Sequence, residues 1–109
     1  MKHITGADKS MLVGDEAATI LLEYAAFLAN GRMADTIMLS AFSITGEDVT
    51  ATLLLNEGVT IMAESTHSSL PEPDNEAAVA HMREAMRAGS VTHRAVPADL
   101  DDFALDHES

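Results

Sequence analysis

The stretch Asp35–Thr66, DTIMLSAFSITGEDVTATLLLNEGVTIMAEST, decides the fold. It reads as three β-strands joined by two short turns. Val49, Ala51, Leu53 and Leu55 alternate with Thr50, Thr52, Leu54 and Asn56, the period of a strand with one better-buried face. Val59, Ile61 and Ala63 alternate with Thr60, Met62 and Glu64 in the same way. A three-residue loop, Asn56-Glu57-Gly58, sets Leu55 opposite Val59, Leu53 opposite Ile61 and Ala51 opposite Ala63. Both apolar rows then share one face. Such a loop ends in a left-handed residue, and Gly58 suits that position. In the first turn, Gly46-Glu47 lies at the centre of a two- or four-residue loop with Gly46 as expected for type II′. Ile44 then pairs with Val49 and Phe42 with Ala51. This register sends Met38, Phe42 and Ile44 to the core. It sends Ile37, Leu39 and Ala41 to the other face, beside Leu54 and Met62.

On either side of the strands the pattern is helical. From Asp15 to Asn30, Ala18, Leu21, Leu22, Ala25 and Leu28 form one stripe, widened by Ile20, Tyr24 and Phe27. A helix apolar around most of its girth is buried on more than one side. Asp15 is its expected N-cap and Gly31 its left-handed stop. Pro71 and Pro73 in SSLPEP break the last strand. The second helix runs from about Asp74 to Ala88, with Ala78, Val79, Met82, Ala85 and Met86 inward and Gly89 at its end. Lys2–Thr5 and Met11–Val13 read as arms of a small N-terminal hairpin. The expected architecture is α+β: α-β-β-β-α with a three-stranded antiparallel meander, the hairpin in front and an acidic tail behind. Residues 1–96 form the domain and 97–109 the tail, whose Leu100, Phe103 and Leu105 make a short apolar stripe.

At 109 residues the chain is long enough to bury a core. Its 18 acids against 6 bases, a formal charge of −12, repel phosphate backbones, so nucleic acid is not an expected partner. There is no cysteine, which removes disulfides and thiolate metal sites and fits a reducing compartment. No apolar run reaches the roughly 18–20 residues of a membrane span. The expected location is the cytoplasm.

Two resemblances bear on function. The element order is similar to that of double-stranded-RNA-binding domains, but their basic entry to the last helix is here PEPDNEAA. VGDEAATILLEYAAFLA, the strand region and SLPEPDNEAAVAHMR resemble a group of short uncharacterised actinobacterial proteins, over most of residues 10–87. That resemblance implies no activity and no catalytic residues.

The residues themselves carry no strong chemical motif. His3, His67, His81, His93 and His107 lack partners at helical ligand spacing, so no metal site and no cofactor is expected. Glu64 and His67 are close enough in sequence to meet at a strand end. The serines lie in no nucleophile elbow. The favoured reading is a non-enzymatic interaction or regulatory module, acting through a protein partner as a homodimer. Its expected interface is Ile37, Leu39, Leu54 and Met62 on the second sheet face, with Leu100, Phe103 and Leu105 of the tail. The alternative is a small enzyme or ligand-binding protein with a pocket between helix and sheet, holding His67 or His81.

Overall fold

The computed structural model describes residues 1–6 and 8–91. In chain order, β1 (Lys2–Gly6) and β2 (Lys9–Val13) precede α1 (Asp15–Gly31). Then come β3 (Asp35–Phe42), β4 (Asp48–Leu55), β5 (Ile61–Ser65) and α2 (Glu76–Ala88). The class is α+β, with the expected α-β-β-β-α order behind an N-terminal hairpin. The expected apolar stripe Leu100, Phe103 and Leu105 lies outside the described residues.

The hairpin is no appendage. All five strands join one sheet in the order β4-β3-β2-β1-β5. β5 therefore does not pair with β4, as the loop at Asn56–Gly58 implied. It pairs with β1, Ile61 against Gly6 and Ala63 against Ile4. The turn at Asn56 explains part of this. Asn56 accepts the Gly58 N–H on its side chain (2.8 Å) and the Val59 N–H on its carbonyl (3.2 Å). Gly58 is not left-handed, so no hairpin bulge forms there. The outer edge of β1 was the competing partner, and that pairing brings Ile61 and Ala63 beside Ile4, where α1 covers both strands. The two apolar rows of β4 and β5 still share one face, as expected, without being neighbours.

The three-residue loop occurs instead at the first turn. The Gly46 N–H donates to the Ser43 carbonyl (2.9 Å), the Ser43 N–H donates to the Glu47 carbonyl (2.8 Å), and Gly46 sits at φ +91°. Ser43 Oγ accepts the N–H groups of Thr45 and Glu47 (3.3 and 3.2 Å), a serine turn that favours this loop. Phe42 thus pairs with Asp48 and Leu39 with Ala51. Relative to the expected register this is an odd slip, which exchanges the faces of β3. Ile37, Leu39 and Ala41 are buried, while Met38 and Ile44 are 57 % and 71 % exposed.

The helices lie on the inner face. Tyr24, Leu21 and Leu28 of α1 and Val79, Met82 and Ala85 of α2 pack with Ile4, Val13, Ile37, Leu39 and Leu55. α1 is capped at its start by Gly14, and its left-handed residue is Arg32 (φ 54°), one position past Gly31. The Arg32 and Met33 N–H groups close the last turn on Ala29 and Leu28. Gly89, left-handed at φ 79°, ends α2 as expected.

Candidate functional site

Register sets the shape of the site. β2 meets β3 only at Leu12–Phe42, so the two strands overlap at their ends. Following the ladder partners across the sheet, a flat sheet would separate Leu55 from Ile61 by roughly 19 Å across the strands and roughly 30 Å along them. Residues 56–60 reach about 20 Å at most. The sheet must therefore roll until the end of β4 approaches the start of β5. Ladder pairing does not close the roll. A cleft of about 570 Å³ remains between β4 on one side and the β1–β2 hairpin with the start of β5 on the other.

The cleft walls are mainly apolar. Ile4, Met11, Leu53, Leu55, Val59 and Ile61 face it, and the whole run Val49–Leu55 lines it. Lys9 is the one charged residue among the described residues lining it. The alternation of β2 puts Lys9 in the same row as Met11 and Val13, so it projects to the concave side.

The outer edge of β4, which no strand among the described residues pairs, borders this cleft. Asn75, just before α2, reaches the backbone of Ser40. The Ser40 N–H donates to Asn75 Oδ1 (2.7 Å), and Asn75 Nδ2 donates to the Ser40 carbonyl (2.8 Å). The Ser40 backbone thus points away from β4, toward the side that β2 leaves uncovered. By the alternation of an antiparallel ladder, Leu39 and Ala51 exchange backbone bonds. On β4 it follows that Thr50, Thr52 and Leu54 turn their N–H and C=O groups to the free edge. No charged or proline residue guards the edge from Val49 to Leu55, the usual protection of an exposed strand.

A second group of functional type stands at the far end of β3. Tyr24 OH donates to Asp35 Oδ2 (2.6 Å), His81 Nε2 lies 2.7 Å from the same oxygen, and the Thr36 N–H donates to Oδ1 (2.8 Å). Burial works against the charge of Asp35, but the bonds from Tyr24, His81 and Thr36 together outweigh it and hold the carboxyl below its ordinary value. The cluster ties α1, β3 and α2 together. None of its members lines the apolar cleft.

The expected site residues are scattered by this fold. Ile37 and Leu39 belong to the core, because the slipped register turned them inward. Leu54 and Met62 are exposed, but β4 and β5 stand at opposite ends of the ladder order, so Met62 does not lie beside Thr52. His67 is exposed after β5. Glu64 faces His3 (3.9 Å) across the β1–β5 ladder rather than His67. His81 was expected on the second helix without its partner. Asp35 is distant in sequence, and no local spacing announces the pair. Lys9 lay in the expected hairpin and carried no signal until the roll of the sheet brought β4 across from it.

Among the described residues no group of three or more histidines, cysteines and acids is placed to hold a metal ion. No helix among them is long and apolar enough to cross a membrane. Compared with known protein families, curated proteins and solved structures, the chain finds no match in any of the three.

Proposed function

We propose that this protein is a non-enzymatic interaction module that takes an extended segment of a protein partner along β4. One observation carries the reading: the free backbone row of Thr50, Thr52 and Leu54 borders an apolar cleft. A strand entering there satisfies the edge by main-chain hydrogen bonds, and its alternate side chains bury against Met11, Leu53 and Ile61. The probe is a set of uncharged decapeptides built from Val, Thr, Leu and Ile. At roughly 100 μM peptide, a weak-binding range, hydrogen exchange at Thr50, Thr52 and Leu54 slows. Thr52→Pro deletes an outward N–H without touching the β3 ladder and weakens binding about tenfold. Unchanged exchange at all three amides with every peptide would refute strand addition.

A second reading, the homodimer, draws on Met38 and Leu54, exposed at 57 % and 60 % on the outer face of the β3–β4 ribbon. The occupant of the edge is then the same edge of a second copy. Sedimentation at tens of micromolar separates the two, since the peptide reading expects a monomer at that concentration.

A further inference from the structure

Resting on the strand-addition reading, the geometry points to a free C-terminus as the part of the partner that enters the cleft, its terminal carboxylate received by Lys9. The charge distribution favours this occupant. Among the described residues no acid lines the cleft, and the single charge there is a cation. Arg83 bonds Glu16 (2.6 Å), Arg87 is paired with Glu84, and the N-terminal amine meets Asp15 (3.0 Å); Lys2 and Arg32 form no ion pair among the described residues, but neither lines the cleft. Lys9 has no ion-pair partner among the described residues, and it is exposed.

The position of Lys9 gives the segment a direction. Ser43 follows Phe42, the partner of Leu12, so Ser43, Val49 and Lys9 stand on the β2 side of the cleft. Leu55 and Val59 mark the other, apolar end, while Ile61 stands level with Lys9 because both pair with Gly6. A carboxylate at Lys9 makes the segment run from the Leu55 end to the Val49 end, opposite to β4. That is the antiparallel arrangement, whose hydrogen bonds are perpendicular to the strands and slightly stronger per residue. The last residues are uncharged. Alternate ones are apolar, because they meet Ile4, Met11 and Leu53, and the polar ones face outward beside Thr50 and Thr52. An internal segment would bury its continuing chain against Lys9 and leave the cation without a counter-charge.

The test compares decapeptides with uncharged, alternately apolar ends, each made as the free acid and as the C-terminal amide, titrated into the full chain by calorimetry. The acid binds about tenfold tighter than the amide, as expected for one charge-assisted contact at a partly exposed site. Lys9→Gln abolishes the difference, Lys9→Arg retains it, and added salt shrinks it. Equal affinity of acid and amide, with β4 amides protected by both, overturns the C-terminal assignment and leaves strand addition standing. Failure of both forms to protect Thr50, Thr52 and Leu54 overturns strand addition itself. Decanoate binding in the cleft with no peptide binding assigns it to a small amphipathic carboxylate and overturns the peptide proposal. Self-association that buries the same three amides assigns the edge to a second copy and likewise overturns it.

Discussion

The inner face of the sheet has two ends, and they are finished differently. At the Asp35 end, two helices cover the strands, and the part-buried polar groups of Tyr24, Asp35 and His81 satisfy one another. At the hairpin end, no helix residue among the described residues lines the cleft, the sheet is rolled but not closed, and β4 ends the ladder of the described strands. A buried polar group must be paired or it costs stability, so the first end reads as a brace. An edge strand uncharged from Val49 to Leu55 beside an apolar cleft is a hazard in a protein that leaves it unused. The contrast separates residues that hold the fold from residues that meet a partner.

Removing the brace should have the largest effect. Asp35→Ala leaves Tyr24 OH and His81 Nε2 without their shared acceptor and should lower stability by about 2–3 kcal/mol in urea unfolding. A loss below about 0.5 kcal/mol would mean that the cluster contributes little. Acid should act on the same group. Asp35 has a depressed folded-state value, so its contribution is complete above the unfolded-state value, near 4 for an ordinary aspartate. As pH falls through the folded-state value, that contribution is lost. The acid limb of the stability profile should therefore be shallower in Asp35→Asn than in the native chain, and parallel limbs would show that Asp35 does not drive it.

At the open end the effects should be smaller and depend on conformation. Gly46→Val forces a branched residue into φ +91° with no neighbour to clash with, and backbone strain alone should cost about 1–2 kcal/mol. Thr52→Pro should cost less than about 1 kcal/mol, because its N–H points to the free edge. Ala51→Pro removes a bond to β3 and should cost clearly more. If the two proline variants were equally unstable, the assignment of outward-facing residues would be wrong. Gly58→Val should be close to neutral. Gly58 is not left-handed, and an added Cβ meets only Asn56 Oδ1 at an ordinary 3.5 Å.

How far the residues alone led can be followed along the chain. Both long helices, all five strands and the hairpin were legible, because a 3.6- or 2-residue apolar period is a local property. Val79, Met82 and Ala85 were read as buried from their spacing, and they are. The faces of β4 and β5 were legible for the same reason. The faces of β3 were not. They hang on the length of the first turn, where a two- or four-residue loop was expected and the three-residue loop Ile44–Gly46 forms. The serine turn at Ser43 was the available signal for the first.

Local pattern determined which segments are strands and helices and, on β4, β5 and both helices, which side is apolar. Tertiary structure decided who pairs with whom. Backbone hydrogen bonds are alike on every strand edge, so the edges of β1 and β4 compete for β5 on equal local terms. Packing of Ile61 and Ala63 with Ile4 under α1 accompanies the pairing with β1. That one pairing rolled the sheet, set Lys9 across from β4 and left the edge of Thr50, Thr52 and Leu54 open. The meeting of Tyr24, Asp35 and His81 is likewise tertiary. Its members lie on a helix, a strand and a second helix, and only the packing of all three brings one carboxylate within reach of both partners.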